Sequence, residues 1–452
     1  MQAGVLVVIS TLWYFSSMEF HPGLAIAVAL LVAGIRYPGV LLGGVFFTYQ
    51  LGAVSSSPWL GSAYIAVATL ISVVRFNLAP LRLTLAPADI GVVLIVALSA
   101  MSIYWSIQPD GSVAEALALF LSVAGMYGVA RFSRSDGGQT IRTMLWTIVT
   151  VAPLVSLLLL SQRATMGWNA QRRLLLDDST ASAVGISQPF AASLLACSML
   201  LLMRVANWQK VLALVALLVV AYTAIASGTR SVFLAYAFGL LVFFLLSLRS
   251  LQPSRLLQAG LAVVVGVSVL SFFAPVDTLS RSAERILGTT EAVGADASSL
   301  ERLAYFDIAL DQFQRNPLQG MGDGGLLRFA SVSYPHNMVL EILSEFGLVG
   351  AIAFGFWLLT LFREAAYVRS REPEVGAILI AFLALTLMQH QVSYSIAMAR
   401  SLFLVCALLA AYGTSHRLAA RQRRPIKGRH AASSQRRRRP VPARRRLARA
   451  GL

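Results

Sequence analysis

The sequence predicts an all-α fold, a polytopic membrane helix bundle of 12–14 spans carrying a small helical cap outside the bilayer. Composition is the first observation: of 452 residues, 57% are hydrophobic and only 13% charged, and the mean hydropathy is +0.71. A soluble domain carries about 25% charged residues, so this chain cannot clothe a surface facing water. The second observation is that the apolar residues fall in continuous runs approaching the ~20 residues a helix needs to cross a bilayer. They do not alternate as barrel strands do. The third is where the charge sits. Residues 415–452 hold fourteen Arg and Lys and no Asp or Glu, and removing those fourteen from the formal +17 leaves only +3 on the rest.

Apolar runs lie at 4–18, 23–35, 38–54, 59–74, 88–107, 113–130, 141–160, 182–203, 211–226, 232–248, 256–274, 336–362, 375–392 and 401–413. The runs 23–35 and 401–413 are short, which keeps 12 as the lower count of spans. Alternate connections carry Arg36; Arg75 and Arg82; Arg131, Arg134 and Arg142; Arg204 and Lys210; Arg249 and Arg255; Arg363, Arg369 and Arg371; and then the basic tail. If every run crosses, all seven fall on one side. The positive-inside rule makes that side cytoplasmic, with both termini inside. The chain then divides into one membrane domain, 1–414, and a disordered Arg-rich cytoplasmic tail, 415–452. No aromatic residues interleave with the charges of the tail, which reads as facing membrane lipid and not nucleic acid. Cys197 and Cys406 sit inside apolar runs as packing residues, which sets aside thiol redox chemistry and thiolate metal sites. Residues 3–15 are apolar, but no basic stretch precedes them, so no cleavable signal peptide is expected.

The opposite side receives two loops, 161–181 and 275–335. In the second, Ser298 and Glu301 have capping-box spacing, and Leu303, Phe306, Leu310 and Phe313 recur at helical spacing until Asn316-Pro317. This side should be poor in arginine, yet it holds Arg163, Arg172, Arg173, Arg230, Arg281, Arg285, Arg302, Arg315, Arg328 and Arg400. Arg230 stands out, because it lies in a short Ser227–Arg230 connection between two long apolar runs, where a charge needs a partner or an anionic ligand. A snorkelling interface arginine is the plainer alternative. The segment from Gly320 to Gly325 contains G-x-G-x-x-G, but no strand precedes it, and a flexible turn is the expectation in place of a dinucleotide site. His336 follows Tyr334-Pro335 and opens a long apolar helix, which puts an imidazole at the water–lipid boundary. No second His or Cys is spaced to join it around a metal, so no metal or cofactor is expected. A pKa near 6.5 suits it to proton removal.

These residues resemble the O-antigen ligase and polymerase superfamily of bacterial inner-membrane glycosyltransferases. The resemblance is carried by Ser227-Gly-Thr-Arg230 opening a long apolar helix, by the external loop with Arg302 and Asn316-Pro-Leu-x-Gly320-x-Gly322, and by His336-Asn337 followed after nine residues by Gly347-x-x-Gly350. It is strongest over about 220–362. Many relatives carry Trp a few residues after the loop arginine, where this chain has Tyr305. The resemblance implies a glycosyltransferase-C type bundle in the inner membrane with its active site facing the periplasm. It also implies a glycan donor on undecaprenyl pyrophosphate, a lipid A–core acceptor and no metal ion.

The residue chemistry is compatible with that reading. His336 suits a general base on an acceptor hydroxyl, while Arg230 and Arg302 suit a leaving pyrophosphate, because guanidinium groups bind phosphate oxygens bidentately and stay charged. Arg163, Arg172 and Arg173 are further candidates for holding phosphates. Asn337, Glu341 and Glu345 follow His336 as candidates for orienting it or binding substrate. A ligase acting on lipid A–core, a polymerase extending the lipid-linked repeat, and a transporter of polysaccharide lipid remain the competing functions. A transporter predicts inverted repeats and broken helices near the midplane. No repeat is evident in the sequence, and the intact H-N-x9-G-x-x-G pattern favours the ligase.

Overall fold

The computed structural model describes residues 21–55, 57, 59–77, 85–133, 138–166, 183–227, 229–248, 260, 297–330 and 332–423. Among these residues every regular element is helical. In lipid a helix satisfies each backbone N–H and C=O within its own segment, which an isolated strand cannot do. The helices are α1 (Pro22–Arg36), α2 (Pro38–Val45), α3 (Thr48–Val54), α4 (Trp59–Asn77), α5 (Pro87–Ser102), α6 (Pro109–Arg131), α7 (Gln139–Met166), α8 (Ala183–Leu202), α9 (Asn207–Ser227), α10 (Arg230–Ser247), α11 (Ala297–Arg315), α12 (Met338–Arg371), α13 (Pro373–Val392) and α14 (Arg400–Arg423). Five of them, α1, α2, α5, α6 and α13, start on proline, whose missing N–H falls where no helical acceptor exists.

The apolar runs 4–18 and, save for Gly260, 256–274 lie outside the described residues. The other runs fall on helices. Among the described residues seven helices are long and apolar enough to cross a membrane, and four shorter apolar helices accompany them. The remaining run, 38–54, is not one helix: it breaks at Phe46–Phe47 into α2 and α3. Phe47 has φ −100° and ψ 7°, and Phe46 and Phe47 donate to Gly43 and Gly44 in tightened turns of 3.3 and 3.0 Å. Thr48 Oγ1 closes the break on Val45 O at 3.1 Å. Phe46 and Phe47 are buried against protein, the setting in which irregular backbone is tolerated at membrane depth.

Side-chain bonds gather the arginine-bearing connections at one end of the bundle. Arg75 at the end of α4 donates to Ile35 O at the end of α1. Arg131 of α6 reaches Asp89 of α5 at 2.8 Å and Thr414 of α14 at 3.1 Å. Arg142 of α7 pairs with Glu374 of α13, and Arg369 of α12 donates to Leu246 O of α10. Arg417 and His416 of α14 pair with Glu364 and Glu372 at 2.8 and 2.9 Å. These last pairs correct the expected boundary of the tail. Helix α14 runs past residue 414 to Arg423 because its basic residues find carboxylates on α12 and just beyond it; residues 424–452 lie outside the described residues.

Close packing comes from small residues, as it must where lipid offers no hydrophobic drive between helices. Gly39 and Gly43 of α2 lie against Thr140, Met144 and Thr147 of α7, and Gly91 of α5 lies against Trp357 of α12. Helix α11 packs on α12 and ends, as expected, at Arg315 ahead of Asn316-Pro317. Its inward face differs from the expected one. Tyr305, Ala309 and Gln312 are buried, whereas Leu303 and Leu310 stay 57% and 42% exposed. The helix seats on a polar junction, so apolar periodicity does not choose its face. Glu301, expected to close a capping box with Ser298, accepts a hydrogen bond from Tyr305 Oη.

Candidate active site

The stretch from Asn316 to Gly350 folds as one unit around a break in α12. At Gly347 the backbone turns to φ 60°, ψ −153°, a conformation essentially confined to glycine. The loop before α12 fills the backbone bonds that the break would otherwise leave open. Leu348 and Val349 donate to Pro317 O and Leu318 O at 2.8 and 3.1 Å, while Met321 and Gly322 donate to Ser344 O and Glu345 O at 2.9 Å each. The two chains approach so closely that a Cβ on Gly347 would lie 2.5 Å from the Leu318 carbonyl, and one on Gly320 would lie 2.3 Å from the Glu345 carbonyl carbon. The glycines of the loop motif and the glycine that follows His336-Asn337 after nine residues are therefore two sides of one junction.

The turn from Gly320 to Gly325 is pinned, not flexible. Its residues are buried, and its amides are spent on protein acceptors: Asp323 N on Ser102 Oγ at 3.0 Å, Gly324 N on Glu345 Oε1 at 3.1 Å, and Gly325 N on Gly322 O at 3.1 Å. No row of amides is left to cradle a phosphate, so the dinucleotide reading of this motif fails on geometry. Asp323 accepts from Ser99 Oγ and bonds the Glu345 carboxyl; burial pushes its own pKa up to about 7, with the Glu115 charge adding and these hydrogen bonds opposing. Among the described residues no group of three or more His, Cys, Asp or Glu is disposed to hold a metal ion.

His336 sits beside this junction. Helix α12 starts at Met338, with Asn337 as its N-cap, so His336 precedes the helix and does not open it. It adopts φ 60°, which costs an L-residue about 1–2 kcal/mol. That backbone turn carries the imidazole between two rings, stacked on Tyr305 at 6.1 Å and edge-on to Tyr334 at 4.8 Å. Burial pushes its pKa down to about 4; the nearby Arg302 charge pushes the same way and Glu301 opposes. At neutral pH the ring is therefore uncharged. Its Nδ1 is buried and has no hydrogen-bond partner among the described residues.

Arg302 lies one turn of α11 before Tyr305, the ring stacked on His336, and its charge bears on the imidazole. Arg230 opens α10 and reaches the same end of the bundle by register. Gly239 lies against Ala381 and Leu385 of α13, and Arg230 stands nine residues earlier, about 14 Å at 1.5 Å per residue. That is level with the C-terminus of α13, where Gln391 O accepts a 3.1 Å bond from Asn337 Nδ2. The other oxygen-bearing candidates are turned toward protein. Asn337 Oδ1 caps Leu340 N at 3.0 Å. Glu341 accepts from Ser395 Oγ at 2.7 Å and from Ile396 N at 3.0 Å. Glu345 holds the glycine turn, with its Oε2 buried and unpartnered among the described residues. The side chain of Arg163, on α7, and residues Arg172 and Arg173 lie outside the described residues.

Sequence reasoning missed Tyr334 as a member of this site and the serines that hold Asp323, and noted Tyr305 only as a departure from a family pattern. The signal for Tyr305 was its spacing: three residues after Arg302 on one helix puts both on neighbouring positions of a face. No comparable signal existed for Asp323, whose partners Ser99 and Ser102 are more than two hundred residues away.

With every regular element among its described residues a helix, and many of these long and apolar, the chain is a multi-pass membrane protein whose polar cluster lies at the end away from its arginine-rich connections. Residues 213–355 match the family described as O-antigen ligase, a span that includes Arg230, Arg302, His336 and the Gly347 break. The match supports the O-antigen ligase superfamily, which the motifs resembled. No curated protein matches the chain.

Proposed function

We propose that the chain is an O-antigen ligase of the inner membrane: it transfers a glycan from undecaprenyl pyrophosphate to a hydroxyl of lipid A–core, at an active site facing the periplasm. The fold is read as glycosyltransferase-C-like and the reaction as metal-independent. The observation that carries the proposal is the pairing of an uncharged, aromatic-walled imidazole with a neighbouring guanidinium inside the matched segment. His336 takes the proton from the acceptor hydroxyl as its oxygen bonds the anomeric carbon. The carbon–oxygen bond to the pyrophosphate breaks, and the departing oxygens bring negative charge that Arg302 and Arg230 neutralise bidentately. An anion on Arg302 also removes one of the two influences that hold His336 low, so the imidazole becomes a stronger base when the donor is in place.

This reading fixes a pH dependence. The base-competent form of a His whose pKa is depressed to about 4 exists above that pH and is lost as pH falls through it. The acid limb of kcat/KM, which reports the free enzyme, should lie near pH 4, and that of kcat should lie higher. An acid limb of kcat/KM near 6.5 would mean that His336 titrates as in water or that another group is the base.

Deleting the gene and analysing both lipopolysaccharide and lipid-linked glycans tests the function. Full-length polymer stranded on undecaprenyl pyrophosphate, with bare core on the surface, is the expected result. Single repeats attached to core would make the chain the polymerase of the same superfamily. Loss of purified transfer activity in EDTA, regained with Mg²⁺ or Mn²⁺, would overturn the metal-independent chemistry.

A further inference from the structure

Beside the His336 junction, at the same end of the bundle, lies a small cleft. The break between α2 and α3, the start of α8, the end of α13 and the start of α14 form its walls, with Thr48, Tyr49, Gln188, Gln389, Arg400 and Ser401 as the polar lining. We propose that this cleft binds the phosphate group of a membrane lipid through Arg400, at a site separate from Arg230 and Arg302.

Charge is the first argument. Arg400 is the one charged residue in the lining, and among the described residues it has no carboxylate partner; its guanidinium lies 4.8 Å over the Tyr49 ring. A cation among apolar helices ordinarily pairs, faces water or serves a ligand. The donors are the second. Gln389 Nε2 donates to the backbone carbonyl of Gln188 at 3.0 Å, and the buried Nε2 of Gln188 has no partner among the described residues. Guanidinium, amide N–H and the Ser401 hydroxyl together present donors and no carboxylate, as phosphate oxygens require. The floor is the third. Val45, Phe46, Pro189 and Ala192 are apolar, so the occupant is amphiphilic. Tyr49 is also an electrostatic neighbour of Tyr334, whose ring edge meets His336, so the cleft adjoins the candidate active site.

Two kinds of lipid carry this phosphate, polyprenyl phosphates and anionic phospholipids. The purified full chain in detergent can be titrated with undecaprenyl phosphate, with dioleoyl phosphatidylglycerol and with the phosphate-free lipid diolein, and the bound species counted by native mass spectrometry. Arg400→Gln should weaken phosphate-lipid binding about tenfold or more, and Arg400→Lys by less, because a point charge keeps the attraction without the fork. Ser401→Phe, which fills the cleft and leaves Arg400 in place, should produce the same loss, so a poorly folding Arg400→Gln does not end the test. A loss confined to undecaprenyl phosphate assigns the cleft to the polyprenyl lipid, and one confined to phosphatidylglycerol assigns it to the bilayer. Equal binding of both phosphate lipids by wild type and either folded variant would overturn the site, as would wild-type binding no tighter than that of diolein. His336→Ala should leave these affinities unchanged, so the result stands or falls apart from glycan transfer.

Discussion

Replacing His336 with alanine should lower the rate of glycan transfer about 10²–10⁴-fold, the usual contribution of a positioned proton acceptor, while donor affinity stays near that of the parent. The argument rests on where the ring sits and what it touches. Tyr305 and Tyr334 hold it, and burial together with Arg302 keeps it uncharged at neutral pH, so removing it takes away a base and no phosphate contact. Arg302→Ala should behave differently, weakening donor binding and turnover together, and Arg302→Lys should restore part of both. Separate measurement of lipid-linked donor affinity and single-turnover rate on monodisperse protein resolves the two patterns. Near-parent turnover in His336→Ala would remove it as the base and promote Glu341 or Glu345. A drop in yield with normal activity per folded molecule would make His336 a packing residue.

Gly347→Val should destabilise the protein by at least about 3 kcal/mol, enough to lower its melting temperature in detergent and to abolish transfer. Two costs add. At φ 60°, ψ −153° a β-branched residue is strained, and its Cβ would stand 2.5 Å from the Leu318 carbonyl, a contact neither backbone can relieve without parting the loop from the helix. Parting them would strand the amides of Leu348 and Val349 that now donate to Pro317 and Leu318. Gly355→Ala is the matched control on the same helix: nothing lies within 4 Å of its Cβ position, and alanine favours helix by about 1 kcal/mol. Equal melting temperatures for Gly347→Val and the parent would mean that the break is not held as described.

Much of the site was legible because its chemistry is carried by rare residues in conspicuous places. An arginine between two long apolar runs, an arginine on a helix in a long loop and a histidine at the mouth of an apolar run each stand out against a chain that is 13% charged. Their assembly was less legible. That His336 would take a left-handed backbone and lodge between Tyr305 and Tyr334 depends on where α11 lies across α12, and nothing in local spacing sets that crossing. Asn337 and Glu341, read as candidates for contact with substrate, are turned to Leu340, Gln391, Ser395 and Ile396, because α12 needs its first amides capped and the turn before α14 needs an anchor.

By itself the sequence determined the class of fold and where the helices lie, since long apolar runs exclude every spanning structure but helix and barrel, and their lack of alternation excludes the barrel. Hydropathy is a property of each residue summed along the chain, so it needs no partner to be read. Breaks and contacts are not of that kind. Runs 38–54 and 336–362 look continuous because Phe46, Phe47 and Gly347 are apolar or neutral, yet both are interrupted. Whether a helix breaks is decided by whether something else can take its orphaned amides. At Gly347 the loop carrying Pro317 and Leu318 does so; at Phe47 the Gly44 carbonyl takes the amide, and the Thr48 hydroxyl donates to the carbonyl of Val45. The inward face of α11 was settled in the same way, by Tyr305 meeting His336 and not by its leucines. Only the folded chain brings those partners within hydrogen-bond reach, and so only the tertiary structure could decide them.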